Sequence, residues 1–259
     1  MSDLSGFDPT GRFTGLAGVY AKSRPSYPDE ALDFVMNHCS LTAGDHLVDV
    51  GCGTGISSRL FAEKSLRVIG LEPNADMRRE AEISGVQAGS IPPTYRDGTA
   101  EKTGLPDKCT EAVLCAQSFH WFNAELALTE FHRILRDHKW LILMWNERDE
   151  RDAFTAAYGN VLRTWPETKS VEVPRGKAGQ AFLESTLFEN TKRVTFGNLQ
   201  ILSEDGLIGR AFSASYAPTE PQARAELTQT LRQLFKQHQS RDSVALKYET
   251  SVYVGQKMG

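Results

Sequence analysis

The sequence predicts an α/β fold: a three-layer sandwich around a mostly parallel, seven-stranded-type sheet, with an inserted helical cover. Three observations predict it. Through the first 150 residues, short apolar runs alternate with segments of helical apolar spacing. The runs are near-continuous in apolar character, as strands covered on both faces by helices must be. A glycine-rich break separates the first run from the helical segment after it, which suits a tight strand-to-helix turn.

The elements follow in order. Asp29 to Cys39 carries Ala31, Leu32, Val35 and Met36 at helical spacing, with Pro28 and Asp29 as a start signal. His46 to Val50 is the first strand, and Ser57 to Lys64 resumes a helical pattern after Gly51 to Gly55. Arg67 to Leu71 is a second strand and Ala75 to Ile83 a helix. Glu111 to Ala116 is a further strand, Glu125 to Leu135 a helix, and Lys139 to Trp145 another strand. Asp152 to Trp165 and Gln180 to Phe188 read as helices laid over the sheet as its cover, with a turn-rich stretch from Pro174 to Gly179 between them. Thr191 to Leu202 alternates loosely as a strand, Glu204 to Phe212 and Gln222 to Gln237 are helical, and Tyr248 to Val254 is a closing strand. Two late strands after a parallel core predict a mixed sheet edge. A length of 259 residues suits one domain. Within it, 1–40 is a lead-in with its helix, 41–148 the core, 149–190 the cover, and 191–259 the remaining edge and helices.

Composition narrows the function. The formal net charge is −4 with no Lys/Arg block, so no nucleic-acid partner is expected. Cys39, Cys52, Cys109 and Cys115 have neither metal-site spacing nor a secreted disulfide pattern, and read as reduced thiols. Met1 to Gly6 lacks signal-peptide features, and runs such as Trp140 to Trp145 are too short to span a bilayer. A cytoplasmic protein without a membrane partner, monomeric or homodimeric, is the expectation. No His and carboxylate set has metal spacing, so no metal is expected.

The glycine turn carries the ligand argument. Val48 to Gly55 ends a strand and opens a helix whose unpaired N–H groups favour a carboxylate or phosphate. A dinucleotide fingerprint wants glycines at its first, third and sixth positions. Here Gly51, Gly53 and Gly55 take the first, third and fifth, and Ile56 the sixth. Glu72 then ends the second strand, where an acidic side chain accepts from both hydroxyls of a ribose. NAD and S-adenosylmethionine share that diol, and only the glycine spacing separates them.

At these residues the chain resembles a family. Val48-Asp-Val-Gly-Cys-Gly-Thr-Gly55 is similar to the first motif of class I, Rossmann-like S-adenosylmethionine-dependent methyltransferases, and Val68 to Met77 to their second. Gly98 to Pro106 resembles their adenine-recognition segment. Ala116-Gln-Ser-Phe-His-Trp-Phe122, with Tyr20, Arg24-Pro25 and Tyr27-Pro28, is similar to a small-molecule subgroup that includes trans-aconitate-type enzymes. The likeness covers residues 18 to 148 well and the remainder only in outline.

The resemblance implies S-adenosylmethionine as cofactor, S-adenosylhomocysteine as product and a small-molecule methyl acceptor. It places Gly51, Cys52, Gly53 and Gly55 at the methionine portion, Glu72 and Pro73 at the ribose, and Met77 beside the adenosine. Thr99, Ala100 and Glu101 stand at the adenine, and Gln117 and Ser118 near the sulfonium. Tyr20 and Arg24 come from the N-terminal segment, Arg24 meeting the cofactor carboxylate. Thr99 is a departure, since many relatives have Asp there. His120 is the candidate base at the carboxyl edge of the sheet, although Phe119 to Phe122 is better read as an aromatic wall of the pocket. Trp145-Asn146 ends the fifth strand, where it is a candidate to line the site, but it is better read as a buried Trp beside a turn-forming Asn. Gly6, Gly11, Gly15 and Gly18 predict a lead-in that folds down on the cofactor. The expected reaction is methyl transfer to an oxygen, carboxylate or hydroxyl. An NAD-dependent oxidoreductase and a non-catalytic S-adenosylmethionine-binding regulator are the alternatives.

Overall fold

A computed structural model describes residues 23–164, 178–214 and 217–259. Tyr20, Trp165, most of the Pro174 to Gly179 turn and the glycines Gly6, Gly11, Gly15 and Gly18 lie outside the described residues. The described elements are α1 (Asp29–His38), β1 (His46–Val50), α2 (Ile56–Glu63), β2 (Arg67–Leu71), α3 (Ala75–Ile83), β3 (Thr94–Arg96) and β4 (Thr110–Ala116). They continue with a 3-10 turn (Phe119–Trp121), α4 (Ala124–Ile134), β5 (Leu135–Arg148) and α5 (Ala153–Arg163). After a helical stretch at 178–183 come β6 (Phe188–Leu202), α6 (Glu204–Phe212), α7 (Pro221–His238) and β7 (Val244–Lys257).

Seven strands form one sheet in the order β3-β2-β1-β4-β5-β7-β6. The first five run parallel, while β7 lies antiparallel between β5 and β6. The mixed edge expected from the two late strands is therefore present. The order reverses at β1, so the carboxyl ends of β1 and β4 open a crevice for a ligand.

Apolar residues on both faces make the three layers. On one side Ala31, Leu32 and Val35 of α1 and Phe61 and Ala62 of α2 pack on Leu47, Leu114, Ile142 and Val252. On the other, Ala127, Leu128 and Phe131 of α4 pack on Val113, Leu141 and Leu143. Each Leu, Val, Ile or Phe among them taken from water contributes about 1.5–3 kcal/mol.

The two expected cover helices go to different places. Phe182, from the 178–183 helix, joins the α4 side of the sheet. Phe154, Tyr158 and Leu162 of α5 instead join Leu207, Leu231, Leu234 and Leu246 in a third cluster with α6 and α7. That cluster sits on a long hairpin, because β6 and β7 stay paired out to Leu202 and Val244, beyond the last β5 pair at Arg148 and Tyr248. No described helix is long and apolar enough to cross a membrane.

Candidate active site

The crevice begins at the glycine turn. Gly51, Gly53 and Gly55 hold φ of +68°, +56° and +75°. The Gly51 and Cys52 N–H groups donate to Leu71 O at 2.8 and 3.1 Å, tying the turn to the end of β2. A side chain at Gly51 would strike Ser118 Cβ at 2.6 Å, and one at Gly55 the Tyr95 hydroxyl at 2.3 Å. At Gly53 a Cβ would meet nothing within 4 Å. The outer glycines are packing positions, whereas the middle one faces open space.

Glu72 closes the crevice opposite. Its Oε2 accepts from Gly53 N–H at 3.0 Å and its Oε1 from Asn74 N–H at 2.9 Å. Each carboxylate oxygen has a second lone pair, so two acceptor positions remain for a vicinal diol. Burial raises the Glu72 pKa, against the two backbone donors and Arg78. Asn74 also caps α3, accepting from Met77 N–H at 3.0 Å, and Met77 is buried beside it.

Asp49, passed over at the level of sequence, stands behind the turn. It is fully buried; its Oδ2 accepts from Ser57 and Ser58 hydroxyls at 2.7 and 2.6 Å. Its Oδ1 has no partner among the described residues. Burial pushes its carboxyl up to about 6, only partly countered by the serines. The signal was legible: an acidic residue in the otherwise apolar Leu47–Val50 run must have a polar role inside.

The adenine segment is a tight turn in which Thr99 and Lys102 exchange backbone hydrogen bonds at 3.3 Å. Ala100 is buried and Thr99 exposed. Glu101 reaches across to accept from Asn123 N–H at 2.9 Å, binding this turn to the start of α4.

The segment after β4 supplies the fourth wall. Gln117 takes φ +62°, a left-handed conformation costing about 1–3 kcal/mol in a residue other than glycine. Its N–H donates to Met144 O at 2.8 Å, and Ser118 Oγ donates to Val50 O at 2.7 Å. His120 is buried, and its Nδ1 accepts from the indole N–H of Trp145 at 3.3 Å. Trp121 lies 5.0 Å from the imidazole, and Phe119 meets Phe122 edge-on at 6.1 Å.

The reading of one residue changes, and another gains a contact within the fold. Asn146 forms no turn: it is a buried β5 residue and the centre of a polar junction. Its Nδ2–H donates to Ser26 O at 3.1 Å, and its Oδ1 accepts from Thr250 Oγ1 at 2.5 Å and Asn198 Nδ2 at 3.1 Å. Arg24, expected at the cofactor carboxylate, donates to Ser213 O at 2.9 Å at the end of α6. Together with Gln200 Nε2–H on Ser23 O at 3.0 Å, these bonds fasten residues 23–26 to β5, β6 and the end of α6.

The site thus unites Gly51, Cys52, Gly53, Gly55, Glu72, Asn74, Met77, Gln117 and Ser118 around the crevice, with the Ala100 turn beside β2. Among the described residues no three His, Cys, Asp or Glu side chains gather as a metal set.

Comparison with known proteins places this geometry. A family model described as a methyltransferase domain matches residues 48–143, from the glycine strand into β5. An uncharacterized methyltransferase of Mycobacterium tuberculosis is 31% identical over 245 residues, covering 92% of each chain. An uncharacterized methyltransferase of Schizosaccharomyces pombe is 25% identical over 247 residues, 92% of this chain and 94% of its own. A solved structure from Anaeromyxobacter dehalogenans, described as a candidate type II methyltransferase, superposes with a TM-score of 0.68 at 20% identity. It covers 91% of this chain and 98% of that one, a likeness of fold.

Proposed function

The chain belongs to the S-adenosylmethionine-dependent methyltransferases, and from that premise we propose that it methylates a small-molecule acceptor at oxygen, a carboxylate before a hydroxyl. Family membership sets aside the NAD-dependent oxidoreductase and the non-catalytic regulator.

One observation carries the cofactor site: Glu72 faces the single glycine of the turn, Gly53, that has open space over it. Glu72 would hold the ribose diol with its two remaining acceptor positions. Gly51, Cys52, Gly53 and Gly55 would face the methionine portion, Met77 and Pro73 the adenosine, and Ala100 the adenine, with Thr99 and Glu101 flanking it. Gln117 and Ser118 would border the reacting methyl. Bound there, S-adenosylmethionine supplies an activated methyl group.

This chain's own contribution is positioning and exclusion of water. Phe119, Trp121 and Phe122 form the apolar wall against which a small acceptor would lie. Net charge and the lack of a basic block favour a metabolite over a polynucleotide. The oxygen, and the carboxylate first, rest on the likeness of Ala116 to Phe122 to trans-aconitate-type enzymes. A carboxylate is already nucleophilic, so no base is demanded of the site.

Calorimetry and an acceptor panel test both levels. S-adenosylmethionine and S-adenosylhomocysteine should bind the wild type, NADH should not, and Glu72→Ala should weaken both sulfur ligands. Small carboxylic acids, alcohols, amines and thiols are then offered with S-adenosylmethionine and the products weighed by mass spectrometry. Methylation confined to amines or thiols would end the oxygen reading.

A further inference from the structure

Trp145 and His120 come from different segments, the end of β5 and the turn after β4, and meet in the interior. Trp145 is 1% exposed and His120 6%. The indole N–H donates to His120 Nδ1 at 3.3 Å. An indole nitrogen cannot accept, so this bond has only one polarity. The ring nitrogen that receives it carries no proton, and a neutral imidazole then bears its proton on Nε2. A proton on Nδ1 would set two N–H donors face to face away from water.

The indole is itself braced. Tyr253 of β7 meets it edge-on at 5.4 Å with the planes at 88°. The Arg193 guanidinium lies 5.5 Å from the Tyr253 ring and donates to Ser251 Oγ at 2.7 Å. Gly179 packs against that ring, where a Cβ would come within 2.8 Å of it. Trp145 therefore sits in a fixed pose, more than filling of the core requires.

We propose that Trp145 is a positioning residue: it holds His120 as the neutral Nε2–H tautomer, so that His120 is no base toward the methyl acceptor. The proposal rests on the reading above that Phe119 to Phe122 borders the acceptor. Nδ1 is taken by the indole and Nε2 is already protonated, so neither nitrogen can remove a proton in this state. A carboxylate acceptor needs no such removal. Its oxygen forms the new O–C bond as the methyl carbon's bond to sulfur breaks and the electron pair stays on sulfur. Carboxylate and sulfonium charges cancel, and no proton moves.

The test reads the ring directly. Protein with ¹⁵N-labelled histidine rings is studied by NMR at neutral pH without substrate, and the His120 signals are assigned by their loss in His120→Gln. The expected wild-type pattern is a pyridine-type Nδ1 and a pyrrole-type Nε2. In Trp145→Phe both signals should move toward tautomer-averaged positions. A pyrrole-type Nδ1 in the wild type, or an unchanged pattern in a folded Trp145→Phe, overturns the proposal. The wild-type spectrum decides even where that variant fails to fold. The expected tautomer with no ester formed from any acid would instead overturn the carboxylate reading while leaving the Trp145–His120 pairing standing.

Discussion

Gly53 and Glu72 face each other across the carboxyl edge of the sheet, the Gly53 N–H donating to Glu72 Oε2 at 3.0 Å. The same carboxylate accepts from Asn74 N–H, so it both braces the glycine turn and presents lone pairs to the crevice. Glu72→Gln should separate these tasks. An amide keeps one acceptor oxygen but cannot accept from Gly53, Asn74 and two ribose hydroxyls together. We expect S-adenosylhomocysteine affinity to fall at least tenfold, about 1.4 kcal/mol, by calorimetry. Unchanged affinity would remove Glu72 from the ribose site.

The three glycines divide into packing and binding positions, which two substitutions can separate. Gly55→Ala adds a Cβ 2.3 Å from the Tyr95 hydroxyl at φ +75°. Left-handed strain and overpacking together should cost about 2–4 kcal/mol, seen as a lowered Tm. Gly53→Ala meets no neighbour and should cost only the strain of its φ, about 1–2 kcal/mol. Its effect should fall on binding, with cofactor affinity reduced at least tenfold. Equal stability losses with cofactor binding intact in Gly53→Ala would contradict the open face.

Much of this was legible beforehand because buried parallel strands and helical spacing leave strong patterns. β1, β2, β4, α1 and α3 fall close to where the apolar runs put them. β3 left no pattern, since only Thr94, Tyr95 and Arg96 form it and two of the three are exposed. The first residues of β5, Arg136, Asp137 and His138, are exposed and polar, which hid that strand's start at Leu135. Glu72 and the glycines were readable because spacing along the chain sets their place. Trp145 and Asn146 were not, because their roles depend on His120, Ser26, Asn198 and Thr250, which only the sheet brings to them.

Asn146 should prove a clamp on the N-terminal segment. Asn146→Ala strips Ser26 O of one donor and leaves the buried Thr250 hydroxyl without its acceptor. A loss of about 2–3 kcal/mol is expected for such buried orphans. Hydrogen exchange should quicken at residues 23–28 before the sheet core, because Asn198 and Gln200 alone would then hold that segment among the described side chains of β5 and β6. A uniform rise across β1 and β4 would mean that Asn146 serves general stability instead.

Asp49 gives the molecule a dependence on pH of a definite sign. Burial raises its folded-state pKa to about 6 from an ordinary 3.8. The folded protein therefore holds this proton more tightly than the unfolded chain does. The resulting stability is complete below about pH 4 and is lost as pH rises through 6, up to about 3 kcal/mol in all. Asp49→Asn cannot ionise and should escape that loss, while its amide oxygen still accepts from Ser57 and Ser58. Urea unfolding of both proteins at pH 4.5 and 7.5 measures the difference. The variant should gain on the wild type by about 2 kcal/mol between the two pH values. A gap that does not change with pH would mean that Asp49 is ionised throughout, its charge balanced by a group outside the described residues.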